Sequence, residues 1–260
     1  MGANEIIKAF ARGTNLLLDH GMSLIQWGEQ VHWYWGYPAV VCVFDFAVED
    51  SRLSEAVSLL EKKDTGFKLV DPPFSVRAKG ALGKKGYHFV HQVDQKSFPT
   101  RLHLMPESLV HLSSHQADLV RSPFDSTREL YIPKLPEHCI SLIRCMEDYP
   151  EKAIDRCPAR RFLHILIATA IYKEPNVGGK IYIPEEETES EEDFKVRQKK
   201  AIQEIEAWEL LETEICSVKN NFQQFIRPAV SGSKLAKNFH MTFTTIFFNS
   251  FEFNPLTPFD

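Results

Sequence analysis

The sequence predicts an α/β fold: a mixed sheet with flanking helices over residues 1–135, then a helical region over 136–237 and a Phe-rich tail over 238–260. Three observations predict it. Residues 4–70 alternate apolar stripes of helical period with short runs rich in Val, Ile and Phe, in the order αβαβαβ. After Pro133 and Pro136 the apolar residues recur every three or four positions. The composition, 43% hydrophobic and 25% charged over 260 residues, is that of a chain with a packed core and excludes one that is disordered, collagen-like or coiled-coil throughout.

The elements follow in order. Ile6, Ile7, Phe10, Leu16, Leu17 and Leu18 stripe a helix over 4–20 that stops at Gly21. An extended run, 22–27, closes at Gly28, and residues 29–35 form a short helix ending at Gly36. Residues 39–48 are rich in Val and Phe and interrupted only by Asp45, as in a strand buried on both faces at the centre of a sheet. Ser51 then caps a helix striped by Leu53, Ala56, Val57, Leu59 and Leu60, which Gly66 closes before a strand at 67–70. Residues 77–93 alternate about a glycine-rich turn, as a hairpin would, and 100–105 add another strand. Helices follow at 139–146, 159–172 and 198–226, the last a long seam running from Ile202 through Trp208 and Leu211 to Phe225. The acidic stretch 185–193 reads as a solvated loop.

Several classes are disfavoured. The longest nearly apolar run, 162–172, contains His164 and is far shorter than the roughly 20 residues a membrane span needs. The first residues lack the basic flank and apolar stretch of a signal peptide, and no Asn heads a glycosylation acceptor. Cys42, Cys139, Cys145, Cys157 and Cys216 are odd in number and widely spread, which suits a reducing compartment, cytoplasm or nucleus. A net charge of −5 gives no global attraction for nucleic acid. The seven Phe of the tail would be an aggregation hazard if left uncovered.

The stretch WGEQVHWYWGYPAVVCVFDFAV, Trp27 to Val48, carries the most chemistry. It resembles the opening of the nucleotidyltransferase fold, in the branch of antitoxin-paired and aminoglycoside-modifying enzymes: a strand, a Gly-Gly or Gly-Ser loop, a short helix, a glycine, then a strand bearing Asp-x-Asp. Gly28 takes the place of the loop glycine, Gly36 that of the closing glycine, and Val43-Phe44-Asp45 that of Asp-x-Asp; with the helix at 51–62 and Gly66-Phe67 the resemblance spans residues 5–105. A similar Trp-Gly-Glu motif also suggests kinship with fungal proteins.

That family's chemistry needs two metal ions bridging a triphosphate and a hydroxyl, hence two carboxylates on one strand face and a third on a neighbouring strand. Strand alternation places 41, 43, 45 and 47 on one face, and they read Val, Val, Asp, Ala. On the strand at 101–105 the inward polar group is His103. Glu29, in the loop that would cradle phosphates, repels a triphosphate and complements the helix dipole itself.

The expectation is therefore a catalytically degenerate member of this fold, an intracellular regulatory or binding protein with no cofactor. Asp45 is its vestigial catalytic and metal position, and Gly28, Glu29, His103, Lys84 and Lys85 are its ligand-binding candidates. One alternative is an active Mg-dependent nucleotidyltransferase acting on RNA, protein or a small molecule, with Asp94 or Glu49 supplying carboxylates. Another is a scaffold whose Phe-rich tail engages a protein partner. Nucleotide or RNA binding is not favoured, and no membrane contact is expected.

Each candidate also has a plain structural reading. Glu29 caps its helix and Asp45 pairs with a buried Arg or Lys. GALGKKG, lacking Walker spacing, is a hairpin turn with solvated Lys84 and Lys85. His88 and His91 point to opposite strand faces, while His111 and His115 share a helix face without the zinc-protease glutamate. Trp33, Tyr34, Trp35 and Tyr37 seat the short helix on the sheet, and Arg156, Arg160, Arg161 and Lys173 snorkel to solvent. There is no Gly-x-Ser-x-Gly elbow, and no hydrolase is proposed.

Overall fold

The computed structural model describes residues 3–37, 41–62, 64–72, 81–92, 99–150, 157–173 and 190–225. Its sheet has seven strands: β1 (Ile25–Trp27), β2 (Val43–Val48), β3 (Phe67–Val70), β4 (Tyr87–His91), β5 (Arg101–Pro106), β6 (Ala117–Arg121) and β7 (Glu129–Pro133). Their order is β3-β4-β5-β2-β1-β7-β6. β2 runs parallel to β5 and β1 parallel to β7, and the other neighbours are antiparallel. The Val- and Phe-rich run thus forms the central strand, as its burial on both faces requires.

Side-chain alternation on β2 and β5 sorts the core into two layers. Phe46, Val48, Leu102 and Leu104 face α1 (Ala3–Asp19) and α2 (Leu53–Leu60), packing with Phe10, Leu17, Ala56 and Leu60. Phe10 is the hub of this layer, with ring centroids 5.3 Å from Phe44 and 5.8 Å from both Phe67 and Phe124. On the other face Ile25, Trp27, Ala47 and Met105 join a core built from α5 (Leu135–Glu147), α6 (Cys157–Leu166), α7 (Glu191–Glu206) and α8 (Glu212–Phe225). Two short helical turns, α3 (Ala81–Lys84) and α4 (Glu107–Val110), flank β4 and follow β5. The C-terminal helices are therefore one whole layer of the sheet's covering. None of the helices is long and apolar enough to cross a membrane among the described residues.

The structure departs from the sequence reading in several places. The seam over 198–226 is two helices, with Ala207–Leu211 outside both, so that Ile205 of α7 and Val218 and Phe222 of α8 all enter one core. A single rod over that span would be roughly 40 Å long and would overshoot the sheet. Beyond residues 73–80, which lie outside the described set, the supposed hairpin at 77–93 is the turn α3 followed by β4, which pairs with β3 and β5. Ser51 is no cap: its hydroxyl bonds Glu49, and the residue at the N-cap of α2 is Arg52, whose guanidinium donates to the carbonyls of His20 and Gly21 at 2.9 Å each, closing the end of α1. β6 and β7, absent from the sequence reading, complete the sheet beside β1. Of the acidic stretch, Glu191, Glu192 and Asp193 form the first turn of α7, capped by Ser190, where the helix dipole favours carboxylates. The Phe-rich tail lies outside the described residues.

Candidate functional site

Gly28 ends β1 with φ +74, a left-handed turn that a glycine makes without strain. The chain then enters a 3-10 helix, Gly28–Trp35, which Gly36 closes at φ +79 by donating to the carbonyls of His32 and Trp33. The turn lays Gly28 flat against the central strand, where a Cβ on it would collide with Asp45 Oδ2. Asp45 sits opposite Trp27 of β1 and opposite His103 of β5, and is 8% exposed.

The strand register brings His103 directly to Asp45. Its Nδ1–H donates to Asp45 Oδ1 at 2.8 Å, and its Nε2–H donates to the Lys85 carbonyl at 2.8 Å. Both ring nitrogens thus face acceptor oxygens, one a carboxylate and one a backbone carbonyl. His88, paired with His103 across β4 and β5, stacks on that ring with centroids 3.9 Å apart and planes 8° from parallel. Burial, then the neighbouring His103, push the pKa of His88 down to about 4, so it is neutral and donates from Nε2 to the Gly83 carbonyl at 3.0 Å. Gln30 fixes the strand from the other side, donating to the Asp45 carbonyl at 2.8 Å.

Above this dyad the cleft is filled. Leu82 of α3 and Pro158 and Phe162 of α6 close over Val43, Asp45 and His103, leaving a cavity of about 10 Å³, room for one water molecule at most. Glu29 is tied down as well, paired with Arg161 of α6, whose guanidinium lies 5.0 Å from the Phe162 ring centroid.

Among the sequence-predicted residues, Gly28, Asp45 and His103 converge, and Lys85 joins them through its backbone carbonyl alone. The Lys84 and Lys85 side chains are exposed, and they border a helical turn rather than a hairpin. The buried partner of Asp45 is a histidine, not an Arg or Lys, and Glu29 forms an inter-element ion pair rather than serving only as a cap. Glu49 lies four residues along β2, about 13 Å away by strand rise. There it shares an open groove with Asp50 and Glu107, whose carboxyl is raised by burial and then by those two neighbours. Asp94 lies outside the described residues.

His88 and His91 do face opposite ways, His91 lying against Phe67 in the other layer. His111 and His115 share no helix: His111 adopts φ 51 after α4 and meets Asp148 at 2.8 Å, while His115 lies in the turn Ser114–Gln116. In the aromatic cluster Trp35 stacks on His138 in the core, whereas Trp33 and Tyr34 are rim residues, 37% and 39% exposed. Arg161 is drawn to Glu29 and Lys173 to Glu204 at 3.0 Å instead of reaching only solvent; Arg156 lies outside the described residues.

Two magnesium ions do not fit these residues. Val43 on β2 and His103 on β5 stand beside Asp45 and bring no second carboxylate to it, and among the described residues no group of three or more His, Cys, Asp or Glu is placed to hold a metal ion. Sequence reasoning missed His88, Leu82 and Phe162. The alternation of Tyr87–His91 marks His88 as inward, but only the β4–β5 register puts it on His103. Compared with known proteins, the chain matches no protein-family model, and no curated protein matches it significantly.

Proposed function

We propose that this chain is a catalytically degenerate protein of the nucleotidyltransferase type, acting as a regulatory or binding protein rather than as a transferase. One observation carries the reading: the position that would grip metal is a lone carboxylate hydrogen-bonded to an imidazole beneath a cavity of about 10 Å³. Ligand pockets run to several hundred Å³, and a triphosphate with its metals needs space of that order. The order β1, loop glycine, short helix, central strand, with β5 beside β2, is what the sequence resemblance leads one to expect and supports the same reading.

The test is magnesium-dependent incorporation of labelled nucleotide by the full chain, with Asp45→Ala as control. Incorporation no greater than that of the control is expected. Robust transfer abolished by Asp45→Ala would establish the active alternative instead. A thermal-shift titration with Mg-ATP supplies a second readout, since a ligand at a hundred times its Kd stabilises the folded state by about 2.7 kcal/mol. No shift is expected.

A further inference from the structure

His32 of the 3-10 helix and His138 of α5 are both completely buried, at 0% exposure. Among the described residues, neither ring has a hydrogen-bond partner at Nδ1 or Nε2. They sit where the helical layer meets the 3-10 helix and β1, in an aromatic enclosure. His138 stacks on Trp35 (5.9 Å, 18°) and meets Trp27 edge-on (6.2 Å, 86°). His32 lies against Tyr37 (6.2 Å) and against Phe162 of α6 (5.4 Å). Trp27 and Phe162 in turn contact each other at 5.4 Å, joining the two surroundings.

The charges nearby offer a proton no help. Arg161 of α6 acts on His32 with like sign, and Glu29 of the same 3-10 helix is paired with Arg161. On α5 itself, Glu137 accepts from Gln116 at 2.9 Å. The ring facing His138 is His32, again a base whose charge would repel. No carboxylate or carbonyl accepts from either ring, so a second proton on either would be a buried cation without a partner, which a protein interior does not tolerate.

We propose that His32 and His138 form an acid-sensitive latch: at neutral pH their uncharged rings seal α5 and α6 onto the 3-10 helix, and protonation releases that layer locally while the central strands stay folded. The pKa directions agree with the geometry. Burial, with Arg161 second, pushes His32 down to about 3, and burial, with His32 second, pushes His138 down to about 3. Both folded values lie below the water-exposed value of 6.5, so the closed form is fully favoured above pH 6.5 and loses ground as pH falls toward 3. At pH 5.0 an opened ring binds protons while the closed ring does not, and the opening equilibrium grows by about 30-fold per histidine relative to pH 7.5.

Hydrogen exchange read by mass spectrometry on the full chain, at pH 7.5 and 5.0 and corrected for intrinsic exchange, tests this. Protection in α5 and α6 is expected to fall by about 30-fold for each histidine, with β2 and β5 far less affected. His32→Phe and His138→Phe should each remove about one such factor. Should either variant fail to fold, the wild-type pattern alone decides. Unchanged protection of α5 and α6 at pH 5.0 overturns the latch, and so does a uniform loss across sheet and helices, which would mean simple global acid unfolding.

Discussion

Replacing Gly28 with alanine isolates the contact on which the central carboxylate depends. Two costs combine. The backbone at φ +74 charges any residue with a Cβ about 1 kcal/mol relative to glycine. The new methyl also overlaps Asp45 Oδ2, so the carboxylate must move off its 2.8 Å bond to His103, a strain of about 2 kcal/mol in a site with no slack. Gly36→Ala is the internal control: φ is +79, almost the same, but among the described residues nothing lies within 4 Å of the added atom. It should cost about 1 kcal/mol, and Gly28→Ala about 3 kcal/mol. With about 2–4 °C per kcal/mol for a chain of this size class, the two melting temperatures separate clearly. Urea unfolding of Gly28→Ala, Asp45→Ala and the double variant closes the cycle, because without the carboxylate the alanine should cost only its backbone share. Equal costs at Gly28 and Gly36, or a Gly28→Ala cost unmoved by Asp45→Ala, would refute the reasoning.

Three further outcomes are expected. Asp45→Asn keeps an acceptor for His103 but takes the carboxylate's charge out of a buried hydrogen bond, and should cost about 2–3 kcal/mol in chemical denaturation. Glu29→Gln, in a pair whose side chains are 21% and 33% exposed, should cost less than about 1 kcal/mol, and the reverse ranking would contradict the buried-dyad account. Burial pushes the thiols of Cys139 and Cys145 up to about 12, whereas Cys42 and Cys216 are exposed. Timed alkylation with peptide mapping should therefore label Cys42 and Cys216 first, and rapid modification of Cys139 in the native protein would overturn the packing described for α5.

Much of the central fold was legible because burial writes itself into composition. A strand covered on both faces must be apolar throughout, and 43–48 is, save for the one carboxylate that has a partner. Alternation likewise brought out Val43, Asp45 and His103 before any contact was known. What stayed hidden depends on partners far along the chain. Glu29 meets Arg161 across 132 residues, and nothing local to either residue announces the pair. β6 is an edge strand with Leu119 53% exposed, so it lacks the alternation that a covered strand shows. The break after α7 was masked because its apolar residues continue the helical period on both sides of it. Periodicity reports which residues are buried, not whether the chain turns between them.

The charge arrangement around the cleft supports the proposal of a site that takes no added cation. Each of its two carboxylates has a fixed protein partner: Asp45 has the His103 imidazole at 2.8 Å, and Glu29 has a guanidinium reaching down from α6. A divalent ion placed on Asp45 would have to displace that imidazole within a cavity of about 10 Å³. On the proposed reading, the hydrogen bonds that seal the cleft are thus the same ones that disfavour a metal. Opening it for catalysis would require disrupting the dyad, the Leu82 plug and the Glu29–Arg161 tie together.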